Sequence, residues 1–132
     1  MAQKLYKLLF WTGYTAVLVA SMMNIPGALD EIRLNMLAFE LRLDHLLHFL
    51  AYFLISMYFM AGQWKGFMLF KTNSLGKFIV VTVALATVTE VVQLWVPVRA
   101  FNVLDWVSNI SGLMLGVLVI KFSGSKTRHT QV

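Results

Sequence analysis

The sequence predicts an all-α integral membrane protein: a bundle of four transmembrane helices, both termini cytoplasmic, with a polar cluster near the outer surface. Three observations carry that reading. Of 132 residues, 59% are apolar and 13% charged, whereas soluble domains run near ~45–50% and ~25%. The apolar residues gather in four blocks, each close to the ~20 residues that a bilayer core demands. Lys and Arg are distributed unevenly between the stretches that join those blocks.

A globule of this size has too little interior to hide so much apolar surface, which excludes an ordinary soluble enzyme domain. Disorder is excluded by the same hydrophobicity. With no cysteine, there is no disulfide framework, thiol nucleophile or thiolate metal site. The net charge of +5 comes from basic residues scattered around apolar blocks rather than massed on one face. It therefore points to a membrane and away from nucleic acid.

The chain reads as one domain over 1–132, with spans at approximately 8–25, 46–64, 78–95 and 103–120. Leu8–Ile25 carries no charge, and Leu46–Trp64 has only His48 as a titratable group. Phe78–Trp95 holds one acid, Glu90, and Val103–Ile120 holds Asp105 near its start. The first block follows Lys4 and Lys7, as a signal peptide would. Its best cleavage site, Leu18-Val19-Ala20, has a large residue where a small one is preferred, so a retained helix is expected. Pro26-Gly27 ends that helix. In the hairpin that follows, Leu37, Phe39, Leu41 and Leu43 alternate as a strand would, while Ile32, Met36, Phe39 and Leu43 form one helical face. An amphipathic segment lying on the outer leaflet is the preferred reading, because open sheet edges do not survive in hydrocarbon.

Eight of the eleven Lys and Arg residues precede the first block, fill the second connection or follow the last block. Arg33, Arg42 and Arg99 alone fall on the other side. The positive-inside rule then places both termini in the cytoplasm. Trp64, Trp95 and Trp106, near block ends, read as interfacial anchors. Met57, Met60, Met68 and Met114 read as lipid-facing or gap-filling.

Polar residues recur at helical spacing on three of the four blocks. Asp44 and His48 share a face, with Tyr52 one turn deeper. Glu90 and Gln93 share another, with Arg99 in the hairpin just beyond. Asp105 and Asn109 share a third, continued by Gly112 and Gly116. Glu90 is the most informative of these, since an acid near the bilayer centre costs roughly 2.5–3.5 kcal/mol and needs a partner. Arg99, His48 or a cation would serve. Glu90 is then either part of a salt bridge pinning helices together or part of a ligand or proton site. Asp44 and Asp105 stand where helix caps belong as well as where site residues would. The spacing of His45 and His48 is weak evidence for a metal, and no metal or cofactor is expected. Gly112-Leu-Met-Leu-Gly116 is a small-xxx-small packing motif.

These segments resemble the VanZ-like family of membrane proteins. Asp44-His-Leu-Leu-His48-Phe-Leu-Ala-Tyr52 is similar to its Asp-Lys-x-x-His-x-x-x-Tyr motif. Thr89-Glu90-Val-Val-Gln93-Leu-Trp-Val-Pro97-Val-Arg99 is similar to Thr-Glu-x-x-Gln-x-x-x-Pro-x-Arg. Asp105-Trp-Val-Ser-Asn109-Ile-Ser-Gly112-Leu-Met-Leu-Gly116 is similar to Asp-x-x-x-Asn-x-x-Gly-x-x-x-Gly. The motifs occur in the family's order and span Asp44 to Gly116; His45 departs where the family often has Lys. The resemblance implies a multi-pass protein of the bacterial cytoplasmic membrane. It also implies an association with low-level resistance to teicoplanin, a lipoglycopeptide that acts at the outer leaflet, without supplying a settled reaction.

Three function classes fit these residues. In the first, Arg99 with Gln93 and Asn109 holds the phosphate or carboxylate of an envelope lipid, a lipid precursor or a lipoglycopeptide, while Asp44, Glu90 and Asp105 orient it. In the second, His48 oriented by Asp44 is a general base, Glu90 the acid, and Arg99 the clamp on a lipid head group. The third is proton-coupled transport through Glu90. Membrane lipids are partners in every case, and nothing in the sequence sets an oligomeric state.

Overall fold

The computed structural model describes residues 1–22, 33–36, 39–96 and 101–128. Four helices dominate: α1 (Ala2–Met22), α2 (Leu43–Trp64), α3 (Ser74–Gln93) and α4 (Val103–Arg128). All four contain stretches long and apolar enough to cross a membrane. The expected spans fall on these helices, with α2 and α3 starting a few residues earlier than the apolar blocks and α4 running beyond its block. Residues 23–25 of the first span, together with Pro26-Gly27, lie outside the described residues.

Two short strands precede α2: β1 (Arg33–Met36) and β2 (Phe39–Arg42), paired antiparallel. The period-two pattern thus prevails here over the helical one, and the segment is a hairpin rather than the expected amphipathic helix. In its register Leu34 opposes Leu41, Asn35 opposes Glu40 and Met36 opposes Phe39. The two open edges of such a hairpin require water or head groups rather than acyl chains.

Helix ends follow from local chemistry. At the end of α2 the amide of Phe67 donates to the Gly62 carbonyl at 2.8 Å and that of Gly66 to Gln63 at 3.0 Å. Gly66 is left-handed at φ 73°, so this is a Schellman closure of the kind glycine permits. The helix α3 follows Asn73, also left-handed at φ 45°, a conformation asparagine tolerates better than most residues. Asn102 caps α4: its Oδ1 accepts from the amide of Leu104 at 3.0 Å.

The helices alternate in direction, so α1 runs parallel to α3 and α2 parallel to α4. At the end bearing the N-terminus the bundle is aromatic. Phe59 stacks on Phe78 with centroids 4.2 Å apart, Tyr6 stacks on Tyr58 at 5.2 Å, and Phe10 meets Phe78 edge-on. The Gln3 amide closes this end, donating to the Met68 carbonyl at 2.6 Å and accepting from the Met68 amide at 3.1 Å. Buried hydroxyls of Ser56 and Thr82 donate to carbonyls of their own helices, the usual way to satisfy such groups where water is absent. Leu5, Leu8, Leu54, Val80, Leu104, Leu115 and Phe122 point outward and are exposed. A surface so apolar is stable only against lipid. Trp64 and Trp95 are exposed near helix ends, as interfacial anchors require. Met68 and Met114 are exposed as well, while Met60 is buried and fills the core.

The closest helix contact is between parallel α2 and α4. A Cβ on Gly112 would collide with the backbone carbonyl of Phe49, and one on Gly116 would collide with Ser56. Neither backbone nor helix can yield locally, so the contact demands glycine at both places. Gly13 on α1, by contrast, has open space around it. Gly112→Ala is therefore expected to destabilise the bundle by about 1–3 kcal/mol through overpacking. Gly13→Ala is expected to be neutral or stabilising by up to about 1 kcal/mol, since alanine is the better helix former. Thermal unfolding in detergent micelles reads both; equal shifts for the two variants would refute the assigned contact.

Candidate functional site

At the end of the bundle opposite the N-terminus, three helix termini meet: the start of α2, the end of α3 and the start of α4. Each brings polar side chains into the interior there, and they join in one chain of contacts. Glu90 of α3 is fully buried. Its Oε1 accepts from Nδ2 of Asn109 on α4 at 3.2 Å. The Asn109 Oδ1 lies 3.0 Å from Nδ1 of His48 on α2. Because the amide NH2 is committed to Glu90, the amide oxygen must accept, and His48 Nδ1 must carry the proton. Asn109 is itself fully buried, so one amide connects a carboxylate on α3 to an imidazole on α2.

The other nitrogen of His48 turns toward two acids. Nε2 lies 3.5 Å from Oδ1 of Asp44, one helical turn earlier, and 4.0 Å from Oδ2 of Asp105. Asp105 is buried, and its Oδ1 lies 3.3 Å from Nε2 of His45. The Glu90 carboxylate also comes within 4.0 Å of His48 Nδ1. The amide of Asn102 faces that carboxylate as well, although Oε2 has no partner at hydrogen-bond geometry among the described residues. One turn deeper, the Tyr52 hydroxyl lies 3.2 Å from the Thr89 hydroxyl, which in turn donates to the Ala86 carbonyl at 3.1 Å. Below this pair the interior is apolar apart from the Ser56 and Thr82 hydroxyls, beginning with Leu85 and Ala86.

Of the residues singled out from the sequence, the structure brings together Asp44, His48, Glu90, Asp105 and Asn109. Tyr52 belongs to the layer beneath them. Gln93 is buried on the same helix as Glu90, and its Nε2 has no hydrogen-bond partner among the described residues. Arg99 and Pro97 lie outside the described residues. The capping role open to Asp105 falls instead to Asn102, and Asp105 faces the histidines. Gly112 and Gly116 sit on the α2–α4 contact directly below Asn109.

Two participants escaped the sequence reading as site members. His45 reaches Asp105, and Thr89 holds Tyr52. Thr89 adjoins Glu90, and its sequence signal was a hydroxyl on an otherwise apolar span. His45 was weighed only through its spacing from His48 and as a departure from the family motif, neither of which pointed to Asp105. Trp106, read as an anchor, donates from its indole to the Thr87 hydroxyl at 3.3 Å and so links α4 to α3.

Fold and site together define a small polytopic membrane protein whose interior carries a buried carboxylate–amide–imidazole chain at one end. A family model described as VanZ/LLP1 matches residues 4–124, and the chain belongs to that family. No curated protein and no solved structure matches it.

Among the described residues Asn109 hydrogen-bonds both Glu90 and His48, so Asn109→Ala strands a buried and a half-buried polar partner at once. Interhelical hydrogen bonds in membranes average only ~0.6 kcal/mol, but leaving buried groups unpaired costs about 1–3 kcal/mol. The expected loss is in that upper range. A double-mutant cycle of Asn109→Ala with His48→Ala is expected to show a coupling of about 0.5–3 kcal/mol; additive losses would mean the contact does not form.

Proposed function

We propose that the polar end of the bundle opens at the outer face of a bacterial cytoplasmic membrane and binds the head group of an anionic envelope lipid or the matching part of a lipid-tailed glycopeptide. The observation that carries this reading is the convergence of Glu90, Asn109, His48, Asp44 and Asp105 at one bundle end. No role in holding helices together requires so many polar groups at one depth. The orientation is supported by the Lys and Arg residues, eight of which belong to the opposite end or its tails.

Three carboxylates alone would repel an anion. Arg99, in the connection between α3 and α4, supplies the compensating charge, and its planar fork bonds two oxygens of a phosphate at once. The acids position that guanidinium and the imidazoles near it. A lipid approaches laterally, its acyl chains against the exposed leucines and valines of the bundle and its head group in the polar end. Holding such groups would lower the amount of lipoglycopeptide engaged at the outer leaflet, the route by which this protein contributes to teicoplanin-type resistance.

A photoactivatable phosphatidylglycerol in proteoliposomes tests the reading. Wild-type protein is expected to be labelled within the α3–α4 region, and Arg99→Ala to lose most of that labelling. Equal labelling of the two removes the proposal. In cells, Arg99→Ala is expected to raise teicoplanin sensitivity to that of a strain lacking the protein.

The placement of His48 between Asp44 and Asp105 favours a second reading, acid/base chemistry on a lipid head group. That reading requires envelope lipids to change with catalytic competence. Lipid mass spectrometry of cells carrying wild-type or Glu90→Gln protein separates the two: altered head groups support catalysis, and identical profiles leave binding.

A further inference from the structure

We propose that a groove on the lipid-facing side of α3, at the bundle end bearing the N-terminus, binds an anionic phospholipid of the leaflet at that end, with phosphatidylglycerol as the type. The groove has a volume of about 420 Å3 and is lined by Phe70, Asn73, Gly76, Lys77, Val80 and Val81. These residues change character with depth. Asn73 and Lys77 stand at the mouth, where α3 begins, and Val80 and Val81 follow one turn further into the span. A rise of ~1.5 Å per residue sets Val81 roughly 12 Å from Asn73 along the helix. Val80 is 68% exposed, so the groove is open sideways. A charged mouth over an apolar run matches the order of head group and acyl chain along a phospholipid.

Charge selects the class of lipid. Every Asp and Glu among the described residues lies at the opposite end of the bundle. Lys65, Lys71 and Lys77 stand on the connection between α2 and α3 or just inside α3, and Lys71 and Lys77 are exposed. The Lys77 ammonium donates to the Thr72 hydroxyl at 3.0 Å, which holds it over the connection. An ammonium has three donors, so two remain for a phosphate. Asn73 adds an amide. Its side chain makes no capping bond to α3, and a Cβ at Gly76 would collide with it. Glycine there lets the amide lie over the first turn of the helix. With no acid at this end to offset the lysines, a head group of net negative charge is favoured over a zwitterionic one, whose phosphate already has its own cation.

The apolar side of the site extends beyond α3. Phe70 meets the ring of Trp11 edge-on at 6.5 Å, and the Tyr14 hydroxyl donates to the Val81 carbonyl at 3.3 Å, so α1 flanks the groove. From Trp11 a second hollow of about 500 Å3 runs along α1 past Thr15 and Ala16 to Val19. The two adjoin at the Trp11–Phe70 contact and together give an acyl chain a course toward the middle of the span. A soluble anion would use the lysines and leave both hollows unfilled, which is why the occupant is a lipid.

This inference concerns the end opposite the head-group site proposed above and does not rest on that site. The test reconstitutes the full-length protein in liposomes with phosphatidylglycerol or phosphatidylcholine carrying a photoactivatable acyl chain, and maps the adducts by mass spectrometry. Each lysine near a charged membrane surface strengthens binding roughly fivefold. Adducts on residues 70–81 and 11–19 are expected from phosphatidylglycerol, in roughly fivefold or greater excess over phosphatidylcholine at equal mole fraction. Lys77→Gln is expected to lower them roughly fivefold, and Lys71→Gln with Lys77→Gln roughly 25-fold. Val80→Trp fills the groove without changing its charge and is expected to remove the adducts on 70–81. Lys121→Gln, at the same end but outside the groove, is expected to leave them unchanged. All four side chains are exposed, and circular dichroism checks that the variants keep their helices. Equal labelling by the two lipids overturns the proposal. So does an equal loss in Lys121→Gln, which would mean diffuse attraction to a basic end. Absence of adducts from both lipids, as when a second copy of this chain covers the groove, overturns it too. Labelling near Arg99 is scored separately, so failure at either end removes only the reading of that end.

Discussion

The contact of Gly112 with the Phe49 carbonyl is the constraint on which the rest of the structure depends. Helices in a bilayer gain little by burying apolar surface against each other, because acyl chains are equally apolar. They associate by close backbone approach and by polar contacts between them. Here the two are coupled. Parallel α2 and α4 keep their residues in register by depth, so Asn109 meets His48 and Gly112 meets Phe49 at neighbouring levels. A hydrogen bond of 3.0 Å between short side chains on two helices forms only where the backbones lie close. Glycine at 112 and 116 provides that proximity, and the polar pairs above benefit from it.

The molecule consequently has two unlike ends joined by one set of helices. Toward the N-terminus, stacked rings of Tyr6, Tyr58, Phe59 and Phe78 fill the space. At the other end, large apolar residues are replaced by Glu90, Asn109 and Asp105, all buried. The Tyr52–Thr89 pair marks the boundary, with a hydroxyl above and a ring against Leu85 below. Each buried polar group at this depth costs stability unless another meets it. Here three buried residues, Glu90, Asn109 and Asp105, and two half-buried ones, Asp44 and His48, meet one another where leucine would pack more simply.

Much of this was legible from the sequence, for identifiable reasons. A bilayer imposes length, so the four helices followed from uninterrupted apolar blocks, and helical spacing put Asp44 with His48 and Asp105 with Asn109. Gly112 and Gly116 were legible as contact residues because small residues have few other uses in such a span. What spacing does not encode is the partner across helices. Glu90 was matched in expectation to Arg99, His48 or a cation, and the intermediary, Asn109, became visible only once α3 and α4 were set side by side. The cap of α4 was open to Asp105 in sequence, and Asn102 takes it in the structure. The segment before α2 satisfied both periods in sequence, and the antiparallel pairing of Arg33–Met36 with Phe39–Arg42 is what tells them apart. Such pairing is a tertiary fact that a linear pattern leaves open.

His45 shows how one substitution can alter what the polar end does. Where the related motif often carries lysine, this chain places an imidazole 3.3 Å from Asp105. Lysine would hold a permanent ammonium against that carboxylate, a fixed pair that neutralises the acid and excludes other cations. Imidazole is charged only when protonated, and when neutral it offers a lone pair as readily as a proton. At position 45 this chain thus sets a group able to donate or to accept beside the buried carboxylate, where a lysine could only donate.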